Sequence, residues 1–358
     1  MNVHRRIIGW ITVCAVIALA ISWHQSVRAI DYDQPFSLTI SPYYLSLNTK
    51  PGHSTSDSIT LKNNSSDPVT LQTGLMRFRS YNDRGVPELL PLEPNDQFAN
   101  WISFSDDTFT IAAGGSKKVA ITITVPENAA LGYYYAVKFQ KVAGGSTTDT
   151  TQLLGSSAVL LLLEVTTPNI TKDVRLLSFT ADKIIYDYLP VTFTVTLKNQ
   201  GNIHIAPTGN IFIDHGNQKD VGIIDVNKVG GNILPDSTRA FTSIWDDGFP
   251  RHQEKIVDGT TIKDKKGATV YTLHWNWADA SKVRIGKYTA NLLLVYDNGT
   301  SDVPVQGVLS FWVIPWQIIL GAGLILLFAL FGLASLVKRL SWRSRPKKHR
   351  RLSNNNDH

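Results

Sequence analysis

Along most of the chain, apolar and polar positions alternate one for one. Val119, Ile121, Ile123 and Val125 are interleaved with Ala120, Thr122 and Thr124. Tyr133, Tyr135, Val137 and Phe139 alternate with Tyr134, Ala136 and Lys138, and Val191, Phe193, Val195 and Leu197 with Thr192, Thr194 and Thr196. Side chains of a strand point to opposite faces in turn, so each segment predicts a strand with one buried and one wet face. Turn residues punctuate these runs: Pro51-Gly52, Asn63-Asn64-Ser65-Ser66, Arg84-Gly85, Gly114-Gly115, Gly144-Gly145, Gly230-Gly231 and Asn298-Gly299. Short strands at this spacing predict an all-β fold built of sandwiches.

The pattern runs through twice. A strand ending Leu61-Lys62-Asn63 and a polar turn reappears as Leu197-Lys198-Asn199 with Gln200-Gly201-Asn202. Ile111-Ala-Ala-Gly-Gly-Ser116 before an alternating strand matches Ile233-Leu-Pro-Asp-Ser237, and Gly132-Tyr133 matches Gly286-Lys-Tyr288. Two tandem immunoglobulin-like sandwiches are expected, at 33–167 and 170–313. They meet near Thr166-Thr167-Pro168-Asn169, where Pro168 stops the last strand and keeps the linker short. A short linker limits hinge motion, so the pair is expected to stand as a semi-rigid stalk.

Two segments abandon the alternation. Trp316 to Val337 holds 22 residues without a charge, and as a helix it would reach about 33 Å. A bilayer's hydrocarbon core is about 30 Å thick, so 315–337 reads as a membrane span. Pro315 and Trp316 suit its outer border. The tail at 338–358 carries eight basic residues from Lys338 to Arg351 against Asp357 alone, which places it in the cytoplasm by the positive-inside rule and the sandwiches outside the cell membrane. At the other end, residues 1–29 read as a secretory signal: Arg5 and Arg6, an apolar stretch from Ile7 to about Ser22, then Val27-Arg28-Ala29, with cleavage after Ala29. An uncleaved first membrane helix is the competing reading.

Those segments change the meaning of the charge. The 358 residues carry a formal +6. Setting aside Arg5, Arg6, Arg28 and the tail leaves 24 basic residues against 28 acids, so the outer part is about −4. Nucleic acid is not an indicated partner. The sole cysteine, Cys14, lies in the signal, so no disulfide supports the sandwiches.

The chain shows no constellation that carries chemistry. His204, His215, His252 and His274 lack the spacing of a metal site and read as surface or turn residues. Asp106-Asp107, Asp246-Asp247-Gly248 and Asp297-Asn298-Gly299 lack the spaced ligands of a calcium loop and suit turns. Ser156-Ser157 has no nucleophile elbow around it. No catalytic, cofactor-binding or metal residue is assigned, and the chain reads as a non-enzyme.

An exported chain opening Phe36-Ser-Leu-Thr-Ile-Ser-Pro42, followed by the Ser58–Asn64 strand, a Gly-Gly-Ser-Lys-Lys turn and Val125-Pro-Glu-Asn-Ala129 before Gly132-Tyr133, resembles the bacterial WxL-interacting surface proteins. The Gly201-Asn202-Ile203-His204 turn, the Gly-Lys-Tyr strand and the helix with basic residues fit the same family. The resemblance implies a first domain like that of pilus chaperones such as PapD. It also implies a non-enzymatic surface protein that contacts cell-wall glycan or partner surface proteins. It carries over no individual binding residue.

The chain departs from that family in a polar insertion at 246–282, expected to form a hairpin that extends one edge of the second sandwich. Trp275 and Trp277, two apart, are expected on one strand face as a platform for sugar rings or a partner's apolar side chains. Packing onto the sandwich is the alternative. Trp101 and Trp245 read as core or sandwich-edge residues. Tyr134 points away from Tyr133 and Tyr135 and is the third candidate contact. A second functional reading makes the chain an accessory subunit of a membrane complex, with Gly321, Gly323, Ala329 and Gly332 letting another helix approach.

Overall fold

The computed structural model describes residues 37–142 and 156–343, so the segment read as a secretory signal and all but the first six residues of the basic tail lie outside the described residues. The first sandwich is built from ten strands: β1 (Leu38–Ser41), β2 (Tyr44–Thr49), β3 (Ser54–Asn63), β4 (Val69–Ser80), β5 (Pro87–Leu90), β6 (Ile102–Phe104), β7 (Thr108–Ile111), β8 (Ser116–Thr124), β9 (Leu131–Lys141) and β10 (Ser156–Val165). One sheet runs β1-β3-β8-β6 and the other β2-β10-β9-β4-β5, with β7 also on β4. Ile59, Leu61, Val119, Ile121 and Ile123 from the first sheet meet Val137, Phe139, Leu161 and Leu163 from the second. These are the inward positions of the alternation, and burying them is the main source of stability in a domain without disulfides.

The second sandwich repeats the plan with β11 (Val174–Ala181), β12 (Ile185–Tyr186), β13 (Val191–Asn199), β14 (Thr208–His215), β15 (Gln218–Val226), β16 (Thr238–Trp245), β21 (Gly286–Asp297) and β22 (Asp302–Val313). Its sheets run β11-β13-β16 and β12-β22-β21-β14-β15. Val191, Phe193, Val195 and Leu197 face Ile211, Ile213, Leu292, Leu294 and Phe311, with Trp245 buried among them.

Both sandwiches share one device. The first strand of each begins antiparallel in one sheet (β1 on β3, β11 on β13) and continues parallel in the other (β2 on β10, β12 on β22). One strand split in this way ties the two sheets at their edge.

The insertion departs from expectation. It does not extend a sheet edge: β17 (Arg251–Glu254) pairs with β20 (Tyr271–His274), and β18 (Ile256–Val257) with β19 (Thr260–Thr261), as two separate ribbons. A single bridge, Leu189 to Arg251, joins the larger ribbon to the sandwich, with the His252 amide donating to the Leu189 carbonyl at 2.7 Å.

Only Ile314 and Pro315 separate β22 from helix α1 (Trp316–Arg343). Its 24 residues from Trp316 to Arg339 are long and apolar enough to cross a membrane, and no other part of the described chain covers them.

Candidate functional site

The short linker is strapped to the second sandwich. The Thr171 amide donates to Asn202 Oδ1 at 2.8 Å, Asn202 Nδ2 donates to the Asn169 carbonyl at 2.8 Å, and the Gln200 amide donates to the Asp173 carbonyl at 2.8 Å. Gly201 is obligatory here, because a Cβ would collide with the Thr171 carbonyl. The sandwiches then meet at two further points.

The first is Tyr134. It leaves the first core, as alternation requires, but it is not turned to solvent. The outward side of β9 is not the wet face that alternation predicts: Tyr134 meets the second sandwich, and Ala136 is fully buried. The Tyr134 hydroxyl accepts from the His204 amide at 2.9 Å, and the two rings meet edge to face at 5.7 Å. Burial pushes the Tyr134 phenol well above its ordinary range. His204, expected at the surface, is 8% exposed, and burial pulls its imidazole down to about 4, with the Lys172 charge adding to the effect. Lys172 in turn faces Glu164 at 3.7 Å across the joint.

The second point is the tip of the β4–β5 hairpin. The Ala240 amide donates to the Asp83 carbonyl at 2.5 Å. Under the tip lies the Arg239 guanidinium, over the Phe241 ring at 5.2 Å and donating to the Asn232 carbonyl at 2.7 Å. Gly85, at φ 71°, leaves room for it: a Cβ there would stand 2.5 Å from Arg239 Cζ. Arg239 Nε is buried with no acceptor, and burial lowers the guanidinium's proton affinity.

Beside Arg239 the sandwiches do not close. A cleft of about 210 Å³ remains, walled by Tyr44, Phe78, Val86, Leu160 and Leu162 of the first sandwich and by Val229, Leu234 and Arg239 of the second. Leu162 sits on the outward face of β10 yet is only 3% exposed. Tyr44 is also the first residue of β2, an edge strand with β10 on one side.

Trp275 and Trp277 lie elsewhere, on the insertion. They do not share a strand: β20 ends at His274, and Trp277 opens a 3-10 turn, Trp277–Lys282, capped by Asn276. The indoles converge nonetheless, stacked at 5.8 Å and 30°, because both lean on buried Phe249 at 5.6 and 5.3 Å. Trp275 is 44% and Trp277 72% exposed. Charged pairs fix their base. Asp247 accepts from Lys282 at 2.8 Å and from Arg284 at 2.9 Å, and Arg284 lies over the Trp245 ring at 5.5 Å. The Asp247 and Asp279 carboxylates hold the Lys282 ammonium above its ordinary range.

The acidic turns are occupied by their own chain. Asp106 accepts from Lys117 at 3.0 Å and Ser105 at 2.8 Å, and both bonds hold its carboxyl below the usual range. Asp297 and Asn298 accept backbone amides within two or three residues, as turn-formers do. Among the described residues no three His, Cys, Asp or Glu gather as a metal site.

No protein-family model and no curated protein matches the chain. Solved structures do. They include the class 5 fimbriae chaperone CfaA, at 13% identity and a TM-score of 0.35 over 76% of this chain and 98% of that one. The CsuC–CsuE chaperone–tip complex of Acinetobacter baumannii pili matches at 11% and 0.33, over 75% and 97%. The YadV chaperone matches at 9% and 0.33, over 76% and 99%. At such identities the similarity is to pilus-chaperone immunoglobulin-like folds and concerns the arrangement of strands alone.

Proposed function

We propose that this chain is a non-enzymatic, membrane-anchored binding protein of the cell surface. In this reading α1 holds two sandwiches outside the membrane, and the cleft between them takes an extended segment of a partner surface protein. The single observation that supports it is that Tyr44 belongs at once to the cleft wall and to edge strand β2. A segment laid along β2 would gain backbone hydrogen bonds, and its side chains would bury against Leu160 and Val86. Walls that are mostly apolar favour a protein segment over a glycan, which needs many polar partners in its site. The resemblance to WxL-interacting proteins points to the same class of role and leaves wall glycan as the competing ligand.

The test uses the intact chain in its own host. A photo-crosslinking amino acid replaces Tyr43, which stands exposed at the rim of the cleft. A discrete crosslinked protein that disappears in Leu160→Arg, with the sandwiches still folded, supports the reading. Attachment to wall glycan, or an adduct unaffected by Leu160→Arg, overturns it. If exchanging α1 for an unrelated span abolishes function while the crosslink persists, the helix-mediated accessory subunit is the better account.

A further inference from the structure

The register of the second sandwich brings the insertion and α1 to the same end. Gly286, where the chain returns from the insertion, pairs with Val313, the last residue of β22. Tyr186 pairs with Val313 from the other side, and the Ile314 amide donates to the Tyr186 carbonyl at 2.7 Å. Trp245, where the insertion departs, pairs with Val191 at the start of β13. Ile314 and Pro315 together reach no more than about 7 Å. If α1 crosses the bilayer, the insertion stands beside the point of entry.

This end of the molecule is also where indoles are left uncovered. Trp312, Ile314 and Trp316 lie partly or largely exposed along the path into the helix, and Ile285 on the neighbouring return. Trp275 and Trp277 are seated on Phe249, four residues beyond Trp245 and so close to the same end. They are not loose side chains: Phe249 beneath them is buried, and its amide donates to the Lys282 carbonyl at 3.0 Å. A rigidly presented, uncovered indole pair is poorly placed in water. Its preferred medium is the zone between headgroups and acyl chains, where the ring is buried and the N–H stays hydrated.

We infer that the insertion is a foot resting on the outer leaflet, with Trp275 and Trp277 in the headgroup zone of the membrane that α1 crosses. This rests on the anchoring proposed above and adds a second contact with the bilayer. Two contacts at one end fix the tilt and rotation of the sandwiches, so the cleft is presented at a set height. The insertion at 246–282 holds six basic and six acidic residues, so attraction to anionic lipid contributes little. Burial of the indoles carries the contact, which should therefore be insensitive to salt.

The full chain is reconstituted into phosphatidylcholine nanodiscs, with and without lipids brominated at the upper acyl positions. Emission of the chain is compared with that of Trp275→Phe/Trp277→Phe, and the difference reports the pair. The expected result is that brominated lipid weakens that difference at least twofold, at low and high salt alike, while aqueous iodide leaves it almost unchanged. If the difference ignores brominated lipid and is quenched by iodide, the indole pair faces water and the foot is wrong, leaving sugar or protein as its ligand. Flotation with vesicles at alkaline pH separates the two failures. A chain that does not float lacks the anchor, and both readings fall. A chain that floats with iodide-quenched indoles loses only the foot.

Discussion

Asn63 and Asn199 occupy equivalent places in the two sandwiches and make the same bonds. Each is fully buried at the end of a Leu-Lys-Asn strand. Asn63 Nδ2 donates to the Ile111 carbonyl at 3.2 Å and the Asp67 carbonyl at 2.7 Å, and its Oδ1 accepts from the Ser65 amide at 3.0 Å. Asn199 Nδ2 donates to the Ile233 carbonyl at 2.9 Å and the Ile203 carbonyl at 2.7 Å, and its Oδ1 accepts from the Gly201 amide at 2.8 Å. Ile111 and Ile233 are the residues that the internal repeat aligns. The repeat therefore preserves a plug: one amide side chain closes a turn and pins a second one across the sandwich.

Removing such a plug leaves several buried backbone groups without partners. Asn199→Ala should cost about 2–4 kcal/mol, well above an ordinary surface change. Asn64→Ala, which loses an exposed bond to Thr39, should cost under about 0.5 kcal/mol. Urea unfolding of the detergent-solubilised chain measures both. Equal effects would mean the plug contributes nothing special.

The joint between the sandwiches makes a separate prediction. On the outward face of β9 the Tyr134 ring lies back over Gly132, and a Cβ at Gly132 would collide with the Tyr134 hydroxyl. Gly132→Ala should displace the ring and strip the His204 amide of its acceptor, as should Tyr134→Phe. Each should loosen the joint without unfolding either core, at a cost of about 1–3 kcal/mol for the orphaned amide. Limited proteolysis reads this out: cleavage in the 166–173 linker should accelerate in both variants. Unchanged cleavage would show that Arg239 and Asp83 hold the joint alone.

The cores were legible in the sequence because alternation reports local burial, and Val119, Phe193 and their partners fall inward as the pattern requires. The joint was not. Tyr134 and His204 owe their burial to each other across 70 positions, and no period in either segment records that. Arg239 likewise has the inward parity of β16, shared with Phe241 and Trp245, where alternation calls for an apolar side chain rather than a guanidinium. The indole pair was half legible. Trp275 and Trp277 do come together, but through Phe249, which lies 26 residues before Trp275 and carries no spacing signal.

A break of register in β11 supports a further prediction. The ladder with β13 shifts between Leu176 and Ser178, which turns Leu177 outward and lets Leu176 and Phe179 both pack on the core. Gly307 on β22 makes room for them: a Cβ there would lie 3.0 Å from Leu176 Cδ2 and 3.3 Å from Phe179 Cδ1. Gly307→Val should cost about 1–3 kcal/mol by overpacking. Shortening the neighbour in Leu176→Ala/Gly307→Val should cost less than the two single changes added together, a coupling of about 0.5 kcal/mol or more. Additive losses in thermal or urea unfolding would remove the contact from the account.

His204 gives the fold an acid-sensitive window whose sign follows from its burial. Its imidazole is held neutral down to about 4, against 6.5 for an ordinary histidine. Between those values the unfolded chain binds the proton and the folded chain does not, so stability rises with pH across the window. The stabilisation is complete above about 6.5 and is lost as pH falls toward 4. Its size is about 3 kcal/mol at a rate of about 1.4 kcal/mol per pH unit. The carboxylates of Asp106, Asp214, Asp225 and Asp279, held below 3.8 by their lysine partners, lose their share only in more acid solution, so the two effects separate on the pH axis. His204→Gln cannot take up the proton and should flatten the profile between pH 4 and 6.5 while leaving the fall below it. Unfolding midpoints of both chains at half-unit steps decide the matter, and parallel profiles would mean that His204 meets water in the folded protein.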